Sequence, residues 1–371
     1  MWAQHTTVPT NTVYRIVARR YTKAQGWGEV TELGGGSSRG TGSNSAYFVR
    51  PEIAVNAQGD TFVAWADNSR SSLLSSIGAQ LIVKRFTVAA GWESTASLVD
   101  APIEAANSEP KIAVSDNGSA LLVWEAKQRL VANGPLVATV KMRAFAPATG
   151  WGVPGVVPNS LFVSTEYVAD LAQIKMDAQG NALMVWMQRD ASLRFVGDFA
   201  SRYTPAGGWS AAAALPRGGG RIPQLFVNAD GTAKFVWAQD NRNLGQNQIQ
   251  SVSYSPAAGW STAITNVTTN VVFPGSPYPA DFPDLSSFAI DGAGNVAVVS
   301  NLQRAPIVNL WALQYSATQG GWVPSTQLKA ANPNGFSGSS PTIRFDSNGN
   351  ATAVWSESDG AVQNIWAARL D

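Results

Sequence analysis

A glycine followed six residues later by tryptophan recurs along the chain, and no other feature restricts its fold as much. Gly59 leads to Trp65, Gly118 to Trp124, Gly180 to Trp186, Gly231 to Trp237 and Gly349 to Trp355, and a sixth copy, Gly294 to Ser300, has lost the tryptophan. Three residues before these glycines stand Asn56, Ser115, Asp177, Asn228, Asp291 and Asp346. Proline stands eight before the glycine at Pro51, Pro110, Pro223 and Pro341. Proline suits the first position of a strand, where no amide is missed; Asn or Asp closes a turn on its own backbone, and glycine supplies the positive φ. Apolar runs flank the turn, as in Ile53-Ala54-Val55 before one copy and Ala120-Leu121-Leu122-Val123-Trp124 after the next. The pattern predicts a hairpin whose register cannot slip.

A second hairpin completes the repeat. An aromatic residue ends a strand, and six residues later the tryptophan of a Gly-Trp pair opens the next: Tyr21 to Trp27, Phe86 to Trp92, Phe145 to Trp151, Tyr203 to Trp209 and Tyr254 to Trp260. Tyr315 to Trp322 carries one extra residue. Each unit of about sixty residues thus holds four strands, here A to D, which is the signature of a propeller blade. The expected fold is an all-β β-propeller of four-stranded blades forming one domain over residues 1–371. Its approximate units are 1–49, 50–108, 109–171, 172–221, 222–283, 284–339 and 340–371. The first residues, Trp2-Ala3-Gln4, match Trp237-Ala238-Gln239 at the end of a strand B, and the last ones match the end of a strand C. Seven blades are therefore favoured over six, with the amino terminus clipped inside the first.

Composition narrows the chemistry. Charged residues are 14% of the chain, and 26 basic residues balance 25 acidic ones, so no long-range field draws in nucleic acid or an anionic membrane. The chain has no cysteine and one histidine, His5, which excludes disulfides, thiolate zinc sites, cysteine nucleophiles, multi-histidine metal sites and a Ser-His-Asp triad. No metal or other cofactor is expected. No apolar run approaches the ~20 residues needed to span a bilayer, so membrane insertion is not expected either. Low charge with 14 tryptophans fits a bacterial extracytoplasmic protein.

The inner hairpin, an apolar run, Asp-x-x-Gly-Asn and a second apolar run, resembles NHL-type propeller repeats. Asp177-Ala178-Gln179-Gly180-Asn181 carries it best, followed by Asp346-Ser347-Asn348-Gly349-Asn350. A fainter likeness is to the Asp-box of sialidases, although the Ser-x-Asp-x-Gly-x-x-Trp order is not met. The longer repeat, the strand-B tryptophan and the Gly-Trp turn depart from the NHL pattern. The resemblance implies architecture; those families include scaffolds, binders and enzymes.

In such a blade the A–B and C–D turns emerge at one end and the B–C and D–A connections at the other. The first set is short and constant, so its residues read as turn and packing chemistry. The second is long and varied, around residues 34–49, 101–109, 159–170, 266–284 and 330–340, and long loops on a rigid scaffold carry function. Glycine runs at 34–36 and 218–220 read as flexible connectors. Past the tryptophan position come Arg70, Arg129, Arg189, Arg242 and Arg304, while Gln188 and Gln239 lie two beyond their tryptophans. These five guanidiniums suit an anion- or carboxylate-binding crown. The other reading packs each arginine on a neighbouring blade or pairs it with Asp67, Asp190 or Asp240. Strand-B tryptophans read as wedges between blades rather than sugar platforms. The expected function is a non-catalytic binding or scaffold propeller for glycan or protein ligands; the alternative is a carbohydrate-active hydrolase or lyase using the same end.

Overall fold

The computed structural model describes the chain except residues 9–10, 23, 40–50, 68–76, 105–109, 130–135, 159, 161, 164–172, 190–193, 217–220, 242–245, 270–283, 305–306, 324–325, 330–338, 347–348, 359–362 and 371. Every regular element among the described residues is a strand, and the strands form antiparallel sheets of the expected blade type. The fold is a β-propeller. The second sheet is representative: strand A is Glu52–Val55, B is Thr61–Asp67, C is Ile77–Thr87 and D begins at Gly91–Trp92. Strand D then breaks and resumes at Ser97–Glu104, pairing again with C.

Counting strands corrects the favoured blade number from seven to six. Five sheets hold a full A-to-D set. The first sheet, Trp2–Val8, Asn11–Thr22 and Gly26–Arg39, has B, C and D; the last, Ser339–Phe345, Ala351–Ser358 and Gln363–Leu370, has A, B and C. The described residues therefore contain six A strands and six D strands, the complement of six blades, beside seven B and seven C strands. The seven strand-C copies in the sequence favoured the higher number because a C strand needs no complete blade around it.

The chain divides into two compact units, Met1–Leu215 with Ala229–Thr232, and Pro216–Asn228 with Ala233–Asp371. In the first, each pair of successive sheets buries its own apolar core. Tyr14, Ile16 and Leu33 meet Val63 and Trp65; Phe62, Ala64 and Leu81 meet Ile112, Leu122 and Trp124; Leu121, Val123 and Val140 meet Ile174, Met184 and Trp186. In the second, Val236 and Ile249 pack on Phe288, Val298 and Leu313, and Val299 and Leu310 pack on Ile343, Ala353 and Trp355. The side chain two residues before each tryptophan shares its face, so strand period alone directs the apolar set into one interface. The expected wedges are seen in these cores at Trp65, Trp124, Trp186 and Trp355, and Trp237 is buried as well.

The turns follow the sequence pattern closely. All six A–B glycines have positive φ, between 81° and 90°. At the Tyr315–Trp322 turn the extra residue moves the positive φ to Gly320, which leaves Gly321 free to start the strand.

The glycine run 34–36 is not a connector. It lies in strand D of the first sheet, where Gly34 pairs with Ile16, Gly35 with Arg15 and Gly36 with Tyr14. A Cβ on Gly34 would fall 2.8 Å from the Trp65 ring, and one on Gly35 2.5 Å from the Tyr14 carbonyl oxygen. These glycines are required for close approach, not for flexibility. The run 218–220 lies outside the described residues.

Candidate functional site

At the short-turn end the polar groups satisfy one another. Asp177 Oδ1 accepts from the amides of Gln179 at 3.0 Å and Asn181 at 2.9 Å, and Oδ2 accepts from Asn181 Nδ2 at 2.8 Å. Asp291 repeats this with Ala293 and Asn295. Turns also bond to their neighbours: Asn56 Nδ2 donates to the Ser115 carbonyl at 3.2 Å, and Asp116 Oδ1 accepts from the Ala57 amide at 2.9 Å. Asp60 and Asn295 tie A–B turns to C–D turns through the amides of Val88 and Ala317. This end is spent on structure, as the short, constant turns imply.

Strand B carries the chain to the opposite end. Arg129, Arg189 and Arg304 are the last residues of their B strands, one in each of three sheets. Arg70 and Arg242 lie outside the described residues. Gln188 and Gln239 are half-buried in strand B, two beyond Trp186 and Trp237. The side chains of Arg129, Arg189 and Arg304 lie outside the described ones, so the expected crown is located by its strand ends alone. Several residues expected in loops are strand instead: Ala101–Glu104 extends strand D of the second sheet.

Sequence reasoning missed the acids near this end. Glu125, directly after Trp124, is buried, as are Asp198 in strand C of the fourth sheet and Glu357, two beyond Trp355. Alternation held the signal. Trp124 faces the preceding sheet, so the next side chain must face the following one, and in a sandwiched blade both faces are covered.

Asp67 Oδ1 accepts a 2.5 Å hydrogen bond from the buried Tyr14 hydroxyl, joining the first sheet to the second. Burial above all, then this hydrogen bond and the carboxylate charge, pushes the Tyr14 phenol well above its usual range. The folded chain keeps that proton where the unfolded chain loses it near pH 10, so this contribution is complete below pH ~10 and declines above it. Tyr14→Phe is expected to cost about 1–2 kcal/mol at neutral pH. It is also expected to flatten the alkaline fall in stability, as urea unfolding across pH 8–11 would read.

No group of His, Asp and Glu able to hold a metal ion occurs among the described residues. A cavity of about 500 Å³ opens between the first two sheets, lined by Met1, Arg20, Tyr21, Ile53, Val55 and Phe86 among others. The Arg20 guanidinium lies 4.5 Å from the Phe86 ring centroid. Arg19 Nε donates to the Gly28 carbonyl at 2.6 Å, and Tyr21 and Trp27 meet edge to face at 5.3 Å.

No family model matches this sequence, so the NHL-type and Asp-box resemblances gain no support there. No curated protein matches either. Among solved structures, a protein of unknown function from Dyadobacter fermentans is similar over 86% of this chain and 93% of its own, at 11% identity and a TM-score of 0.49. The NanB sialidase of Streptococcus pneumoniae is similar over 89% and 69%, at 8% identity and a TM-score of 0.45. An α-L-arabinanase of Penicillium chrysogenum is similar over 69% and 78%, at 13% identity and a TM-score of 0.42.

Proposed function

We propose that residues 1–371 act as one extracytoplasmic, non-catalytic propeller domain that holds glycan or protein ligands at the connections beyond strand B. One observation carries this reading: the B strands of three sheets end on Arg129, Arg189 and Arg304, while the polar groups of the short turns bond one another. A guanidinium offers a planar fork to a carboxylate, so the favoured ligands are acidic glycans or carboxylate-rich protein surfaces. Gln188 and Gln239 add amides at the same end, suited to sugar hydroxyls.

Binding to an array of acidic and neutral glycans tests this. Retention of acidic glycans that weakens with salt is expected, and Arg129→Ala and Arg189→Ala should each reduce affinity by about tenfold, the loss of one charge-assisted hydrogen-bonded contact. Undiminished binding in both variants would remove the arginines from the site. Turnover of a glycoside that depends on Glu125 or Asp198 would replace the binding reading with the carbohydrate-active enzyme.

A further inference from the structure

The fourth sheet departs from the repeat where its strand B ends. Elsewhere the residue three past the tryptophan position keeps a regular register with strand C. His5 pairs with Tyr14, Lys127 with Ala138, Asp240 with Asn247, Gln303 with Val308 and Ser358 with Gln363. In the fourth sheet Arg189 skips Val196 and pairs with Phe195 across a β-bulge. Among the described residues no other B–C ladder is bulged. Bulges re-aim side chains and gather beside active sites.

A second departure adjoins the first. Asp198, opposite Met187, is only 2% exposed. The same position holds Ile16, Leu81, Val140, Ile249 and Leu310 in five other sheets, all of them buried. A carboxylate buried where the repeat has an aliphatic side chain costs stability unless a cation meets it. The third departure is at the rim, where Phe195 is 38% exposed and Val196 57%. All three fall within residues 195–198, at the end that carries the long connections. Sequences break local rules in this way at functional sites.

We propose that this bulged end is a subsite for a carboxylated sugar residue, with the pyranose ring on Phe195 and the carboxylate on Arg189, which Asp198 holds in place. The inference rests on the reading that ligands bind beyond strand B. Met187 and Arg189 stand on one face of strand B, so Asp198 and Arg189 are diagonal neighbours across the ladder. Such neighbours are within reach of a long side chain. A guanidinium braced by one carboxylate keeps another edge of its planar fork for a second. Phe195 stands opposite Arg189, which sets ring and cation side by side. The negative face of the aromatic ring takes the C–H side of a pyranose, and the cation selects the sugar that bears a carboxylate. Asp198 is buried, so it acts through Arg189 as a positioning residue.

Two glycans that differ only in a terminal glucuronate or glucose test this on the intact chain. A preference for glucuronate is expected. Phe195→Ala should weaken binding of both by about tenfold, the loss of one stacked ring, and Phe195→Trp should restore it. Asp198→Leu installs the kind of residue the other sheets have, so it should fold at least as stably as the parent. It should nevertheless cut the preference for glucuronate by about tenfold, the share of one charge-assisted contact. A merely structural Asp198 would behave the other way, with stability lost and preference intact. Unchanged preference in Asp198→Leu, or unchanged affinity in Phe195→Ala, would overturn the subsite. If Arg129→Ala still weakened binding in that case, the broader reading would stand. Binding of neither glycan by the parent would overturn the subsite, and if no acidic glycan of the array bound either, the reading it rests on.

Discussion

Trp124→Ala should destabilise the protein by about 3–5 kcal/mol, the usual cost of emptying a fully buried aromatic site. Trp124 is packed among Phe62, Ala64, Leu81 and Val83, so its loss opens the interface between the second and third sheets. The ring does this by volume alone. Its Nε1 is buried and has no acceptor among the described residues. Trp124→Phe removes that unsatisfied donor as well as part of the volume, and it should cost only about 1–2 kcal/mol. Trp27→Ala, at an exposed position, should stay within about 0.5 kcal/mol of the parent. Urea titration followed by circular dichroism would rank the three. A Trp124→Phe variant as unstable as Trp124→Ala would mean that the indole nitrogen, not the ring volume, secures the interface.

Asp177→Ala should cost about 3 kcal/mol, because it removes a buried charged acceptor and leaves two turn amides without their partner. The carboxylate receives the amides of Gln179 and Asn181 and the side-chain amide of Asn181. Asp177→Asn keeps one acceptor oxygen but turns an NH2 group toward Asn181 Nδ2, so about half that loss is expected. Asp291 has the same bonds at a more exposed turn, and its alanine variant should lose less. Thermal unfolding of the three variants provides the comparison. Equal losses at Asp177 and Asp291 would show that burial does not set the cost.

The parts of this fold legible in the sequence are those decided within a few residues. A positive φ at Gly180, an Asx closure at Asp177 and an apolar strand ending in Trp186 are local chemistry, and all appear as read. What escaped reading depends on partners distant in sequence. The glycines at 34–36 look like slack chain until the Trp65 ring and the Tyr14 carbonyl are placed against them. Glu125 looks like a loop-end acid until a following sheet covers its face. The Asp67 carboxylate takes a hydrogen bond from Tyr14, 53 residues away, which no local pattern announces. The arginines were legible as a series past strand B, yet their convergence depends on connections whose length and composition follow no common pattern.

The sealed turns also bear on how the molecule ages. Asn-Gly pairs in open chain are weak points, because the asparagine side chain cyclises onto the next amide and is released as aspartate or isoaspartate. Asn117-Gly118 is such a pair, but the Gly118 amide donates to the Ser115 carbonyl at 3.0 Å. Asn117 Oδ1 meanwhile accepts from the Ser119 amide at 2.9 Å and from the Ser115 hydroxyl. Nucleophile and electrophile are each held elsewhere, so this turn should outlast the same dipeptide in an unfolded peptide by a wide margin on storage.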